Sequence, residues 1–169
     1  MLRHTARRAT NSTIRRVILC GIVVGALSTL LVSCSSYTEL SRAIDQAESL
    51  AEENPNKALE IISNIDKSQL RSNEIKARYA LIYSEVSYYN RMLVNSDSLT
   101  RIAVAYYDKS NNHHERARAY FQHGMTLQLA GALPEAILAL REAHNSLDKY
   151  KDNRLEGVVY RLEGDIYRA

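Results

Sequence analysis

From Leu40 onward, apolar residues recur every three or four positions and polar residues fill the gaps. Leu40, Ala43, Ile44, Ala47, Leu50 and Ala51 return to one side of a 3.6-residue period, which predicts a helix ending near Glu53-Asn54. Asn54-Pro55 opens a second helix. Asn54 suits the cap, and Pro55 loses nothing in a first turn, where its N–H would have no partner. Ala58, Leu59, Ile61, Ile62 and Ile65 form the buried side of that helix, and the polar stretch from Asp66 to Asn73 predicts a loop. A third helix is expected from about Glu74 to Leu93, with Ala77, Ala80, Leu81, Ser84 and Tyr88 on one face. Asn95-Ser96-Asp97-Ser98 breaks it and caps a fourth, which turns Leu99, Ile102, Ala103, Tyr106 and Tyr107 inward. Ser110 to His114 reads as a loop, and a fifth helix runs from near Glu115 to Ala130-Gly131. Pro134 opens a sixth, Tyr150 to Arg154 is a polar connection, and a seventh begins near Leu155.

This alternation of helix, turn, helix and loop has an internal period. Tyr120, Gly124 and Leu127 on the fifth helix are followed by Ala136, Leu140 and Ala143 on the sixth. Small residues at Gly124 and Ala136 allow two helices to approach closely, and the larger ones fill the space around that contact. Tyr160, Gly164 and Tyr167 stand 40 positions after the first triplet, and Ala80, Ser84 and Ser87 stand 40 positions before it as a weaker copy. Leu99, Ala103 and Tyr106 take the second-helix roles of that weaker unit if its turn is a few residues longer. Ala47, Leu50, Ala58 and Ile62 make a degenerate first unit.

The intervals aromatic–small–large, then Ala–large–Ala, resemble those of the tetratricopeptide repeat family, whose period is about 34 residues. The longer period here fits longer loops, and Asp148 stands where that family usually has proline. The resemblance implies an all-α fold: a right-handed superhelical array of antiparallel helix pairs, about three and a half repeats long. It also implies that the first helix of each pair lines a concave face. Helical steps place Arg78, Leu81, Glu85 and Tyr88 there in one unit. The next contributes Arg118, Phe121, Met125 and Gln128, and the last Val158, Arg161, Asp165 and Arg168. That mixed lining suits a peptide segment of a protein, or an acidic helix, better than a small metabolite. The apolar positions on the seventh helix, from Val158 to Tyr167, imply a fragment, the product of a truncated gene or the front of a longer array.

The segment ahead of Cys34 reads differently. Arg3, Arg7, Arg8, Arg15 and Arg16 precede an uncharged run, Val17 to Val32, and Leu31-Val32-Ser33-Cys34 closes it. A basic front, a short apolar centre and small residues at the exit make a secretory leader. The run is shorter than the roughly 20 residues that cross a bilayer, which favours a cleaved leader over a retained membrane helix. With a cysteine at the exit, the segment resembles the bacterial lipoprotein family. That resemblance implies diacylglycerol on the Cys34 thiol, cleavage before it and acylation of the new amino group. The organisation expected is a signal peptide at 1–33, a lipidated linker at 34–38 and helical repeats at 39–169. Three acyl chains would anchor the protein stably. Under the same resemblance, Ser35 suits sorting to the outer rather than the inner membrane, and the lack of an acidic run after Cys34 argues against surface display, which together imply the periplasmic face of the outer membrane.

The leader also changes what the charge means. Five of the 22 Lys and Arg precede Cys34, leaving 17 against 19 Asp and Glu. The part from Cys34 onward is slightly acidic, so no nucleic-acid partner is expected. It keeps no thiol beyond Cys34, hence no disulfide. His113-His114 lacks further ligands at metal spacing, and no phosphate loop or nucleophile motif occurs. No cofactor, metal or catalytic residue is expected. The whole resembles tetratricopeptide lipoproteins of Bacteroides-like bacteria, carried by Asp97-Ser98-Leu99, Tyr106-Tyr107, Glu115-Arg116 and Ala119-Tyr120. The implied role is a lipid-anchored scaffold or adaptor for protein–protein contact in the cell envelope. The alternative is the sensor segment of a longer signalling or transcription-regulatory protein. A helical-scaffold enzyme would need a carboxylate pair in a cleft, which the sequence does not single out.

Overall fold

The computed structural model describes residues 37–92 and 96–168; Cys34 and the leader lie outside them. The chain divides into two compact units, 1–40 and 41–169. Of the first, only 37–40 are described, and they are helical. Every regular element among the described residues is a helix. These are α1 (residues 37–50), α2 (Pro55–Ser63), α3 (Asn73–Tyr89), α4 (Ser98–Tyr107), α5 (His113–Leu129), α6 (Leu133–Leu147) and α7 (Asn153–Tyr167), with a 3-10 turn at Lys67–Gln69. From α2 onward each helix packs on its successor, and α3–α5 and α5–α7 also touch. None is long and apolar enough to cross a membrane.

The internal period is visible in the helix ends. The caps Ser72, Asn112 and Asp152 recur at steps of 40 in the numbering, and each side chain accepts a backbone N–H three positions on, from Ile75, Glu115 and Leu155. Each satisfies one of the orphan donors of a first turn. The other ends match too. Met92 N–H donates to Ser87 C=O and Arg91 N–H to Tyr88 C=O; Ala132 donates to Leu127 and Gly131 to Gln128. These paired bonds close a helix around a left-handed residue. That residue is Gly131 at φ 78° in one unit and Arg91 at φ 54° in the other. The third helix therefore stops at Tyr89, short of the expected Leu93, because Asn90 and Arg91 turn the chain. The Asn90 amide donates to Pro55 C=O and Val86 C=O, both at 2.8 Å, and ties that end to α2.

The unit α5–α6 has the most extensive helix–helix contact. Ala117, Phe121, Ala136, Leu140, Ala143 and Leu147 are buried there, joined by Val159 and Ile166 of α7. Gly124 is locked in place: a Cβ on it would lie 2.9 Å from Leu140 Cδ2 and 3.3 Å from the Ala136 carbonyl. Tyr120 and Leu127 pack against the same cluster. In the preceding unit, α4 buries Thr100, Ala103 and Tyr107 rather than the expected Leu99, Ala103 and Tyr106. These stand exactly one period before Leu140, Ala143 and Leu147, so no longer turn is needed to align the units. Ile102, expected inward, is exposed.

Tyr160 and Tyr167 are 58% and 76% exposed. Nothing lies within 4 Å of a Cβ built on Gly164. The Tyr160 ring lies against His144 of α6, with centroids 4.5 Å apart, so within the described residues the triplet Tyr160, Gly164 and Tyr167 packs less than Tyr120, Gly124 and Leu127 do. His113 and His114, expected in a loop, form the first turn of α5. There His114 Nε2 lies 3.2 Å from Asp152 Oδ2.

Candidate functional site

Side chains of α1, α3, α5 and α7 meet along one side of the helices, where the repeat register produces a ladder. In its first rung Arg78 of α3 pairs with Asp45 of α1, and donates to Ser41 at 2.8 Å. In the second, Arg118 of α5 pairs with Glu85 of α3. Both Asp45 to Glu85 and Arg78 to Arg118 are steps of 40. Arg118 grips both Glu85 oxygens, at 2.8 Å from Nε and 2.5 Å from the terminal nitrogen. Its other terminal nitrogen reaches Glu48 at 2.6 Å and Glu115 at 2.9 Å. The side chain is only 14% exposed. Burial alone works against its charge, but Glu85, Glu115 and Glu48 outweigh that, and its pKa rises. Burial pushes the Glu85 carboxyl up, against the pull of Arg118. A two-toothed guanidinium–carboxylate contact is the strong form of such a pair.

The third rung breaks the pattern. One period after Glu85 and Arg118 stand Met125 of α5 and Val158 of α7, and both line a cavity of about 450 Å³. Its floor and walls hold Tyr88, Phe121, Met125, Val158 and Leu162, with Arg91, Gln128, Arg161 and Asp165 beside them. The Tyr88 and Phe121 rings meet edge to face, with centroids 6.3 Å apart. Arg161 donates to the Tyr88 hydroxyl at 3.1 Å, across from α7 to α3. So the ladder, ionic over two rungs, opens into an apolar pocket at the third. A pocket with an apolar lining and a few placed polar groups is the ordinary form of a binding site.

The expected groove residues thus fall into two groups. Tyr88, Phe121, Met125, Gln128 and Arg161 come together around the cavity, with Val158 and Asp165. Arg78, Glu85 and Arg118 do not: their charges are consumed by partners on neighbouring helices. Arg78 and Leu81 border a smaller hollow of about 330 Å³ with Glu48, Tyr107 and Glu115. Arg168 pairs with Asp165. Periodicity alone misses Leu129 of α5 and Leu162 of α7, and it misses Arg91 and Met92 because a third helix drawn to Leu93 carries no turn at Arg91. The step of 40 back from Gly131 is the signal that could find it.

Two further contacts frame the region. Tyr89 donates to Glu52 Oε1 at 2.7 Å, and Arg154 reaches the same oxygen at 2.6 Å. The hydrogen bonds from Arg154 and Tyr89 hold the Glu52 carboxyl below its usual range. On the other side of α5, Tyr120 donates to Asp108 at 2.9 Å, and burial with that bond pushes its hydroxyl up to about 12. The described residues contain no cluster of His, Cys, Asp or Glu that could hold a metal ion. No family model matches the chain, and no curated protein or solved structure shows a detectable similarity to it.

Proposed function

We propose that this protein is a lipid-anchored adaptor of the bacterial cell envelope that works by holding a segment of another protein. The observation that carries the reading is the change at the third rung. Paired charges give way to Met125 and Val158 around a cavity of about 450 Å³, and Tyr88 and Phe121 add apolar surface beside it. Aromatic, Met and Arg side chains are the residue types enriched in protein contacts. The recurrence of caps at Ser72, Asn112 and Asp152 supports a superhelical array of the tetratricopeptide type, with this groove on its concave face. The sequence before Tyr37 supports lipidation at Cys34 and attachment to the periplasmic face of the outer membrane. No step of catalysis is assigned to any residue.

Two experiments test this. Radiolabelled palmitate should enter the wild type and not Cys34→Ala; label retained in the variant would remove the anchor from the account. Capture from envelope extracts should yield a partner that Met125→Glu loses and Leu138→Glu keeps, Leu138 being an exposed apolar residue outside the cavity lining. Equal capture by both variants would remove the groove.

A further inference from the structure

We propose that the groove takes an internal stretch of a partner protein in which one large apolar side chain is flanked by carboxylates. The inference rests on reading the groove as a segment-binding site and adds the chemistry of the segment. Among the described residues, five arginines belong to the expected groove or the cavity lining: Arg78, Arg91, Arg118, Arg161 and Arg168. Arg78 and Arg118 are neutralised by Asp45 and by Glu85, Glu48 and Glu115. Arg91 and Arg161 are exposed, line the apolar cavity, and form no ion pair among the described residues. The contact of Arg161 with Tyr88 is a hydrogen bond to a hydroxyl, not an ion pair. Asp165, also in the lining, is held by Arg168. A carboxylate is the group that meets a guanidinium with two parallel hydrogen bonds.

The backbone at Arg91 is a second, independent sign. Its φ of 54° lies in the left-handed region, and its counterpart one period later is Gly131 at φ 78°. One unit uses the residue that turn favours; the other keeps a guanidinium there at a cost in backbone energy. Strain retained at a pocket rim points to a use for the side chain. Arg91 follows the end of α3 and Arg161 sits on α7, with Phe121 and Met125 of α5 also in the lining. Two cations on different elements suit carboxylates on both sides of a buried side chain better than one terminal carboxylate.

The test uses the full chain with 13C-labelled methionine methyls, because Met92 and Met125 both line the cavity. The probes are the blocked peptides acetyl-Glu-Phe-Glu-amide and acetyl-Gln-Phe-Gln-amide. Both should shift the two methyl signals, with the acidic peptide binding about tenfold tighter, the margin of a charge-assisted hydrogen bond over a neutral one. Arg91→Gln and Arg161→Gln should each shrink that ratio while the signals of the folded protein persist. Equal binding of the two peptides, or an unchanged ratio in both variants, overturns the inference and leaves the groove intact. Acetyl-Gln-Phe with a free carboxyl end binding as tightly as the acidic peptide overturns the choice of an internal stretch. Neither peptide moving either methyl at millimolar concentration overturns the groove reading itself, and the inference with it.

Discussion

Gly124 and Gly164 occupy the same place in two successive units, yet alanine should act on them in opposite directions. Ala is about 1 kcal/mol better than Gly inside a helix, and both residues are helical. At Gly164 a Cβ meets nothing within 4 Å, so Gly164→Ala should stabilise the fold by about that propensity difference. At Gly124 the new methyl would sit 2.9 Å from Leu140 Cδ2, 3.0 Å from its Cγ and 3.3 Å from the Ala136 carbonyl oxygen. Leu140 is fully buried, and the carbonyl belongs to the backbone of α6. Overpacking of this kind costs about 1–3 kcal/mol, so the net effect of Gly124→Ala is a loss of about 1 kcal/mol. The two variants should therefore differ by about 2 kcal/mol. Urea unfolding of the wild type and both variants, followed by far-ultraviolet circular dichroism, reads this directly. A Gly124→Ala protein as stable as Gly164→Ala would refute the claim that α5 and α6 are held by a glycine-sized gap.

Three further outcomes follow from the same geometry. Arg91→Gly should raise the unfolding midpoint, by about 1 kcal/mol in stability, because glycine carries no penalty in the left-handed region; thermal unfolding measures it. Arg118→Gln leaves Glu85, Glu48 and Glu115 facing each other and should destabilise by about 3 kcal/mol at neutral pH. That deficit should narrow as the pH falls and the carboxylates take up protons, so one of equal size at pH 4 and pH 7 would argue against the network. Burial holds the His123 imidazole below its ordinary 6.5, with Asp97 opposing and Arg101 adding to the effect. As the pH falls, the unfolded chain is protonated first. The contribution of His123 is thus complete above about pH 6.5 and is lost as the pH falls towards the lower folded value. Denaturation midpoints between about pH 5 and 7.5 should fall less steeply with acid in His123→Gln than in the wild type.

Much of this architecture can be read along the chain, for reasons specific to particular residues. Asn54-Pro55, the polar run after Asp66 and the Gly131-Pro134 region carry their own turn chemistry, which places the helices they bound to within a few positions. The Tyr120–Gly124–Leu127 triplet with Ala136, Leu140 and Ala143 is legible because a close helix contact needs small residues at fixed spacing. The end of α3 is not, because its left-handed residue is Arg91 rather than glycine. The inward face of α4 is misaligned by periodicity because its first buried residue, Thr100, is polar. It is nonetheless buried, with its hydroxyl 3.0 Å from both the Asp97 carbonyl and His123 Nδ1. Periodicity aims Tyr88, Phe121, Met125, Gln128 and Arg161 at one place. It cannot show that Arg78 and Arg118 meet carboxylates from α1 and α3, since those pairs join residues 33 or 70 positions apart.

The groove is the centre of the account, and one measurement addresses it with the fewest intermediate steps. A photoreactive amino acid is placed at Met125 in living cells, with Leu138 as the control outside the cavity. The account predicts a discrete protein adduct from position 125 that is absent from 138 and falls in yield when Arg161 is also changed to Gln. Adducts of equal yield at both positions, or none at 125 in cells where the protein is lipidated and folded, would contradict it.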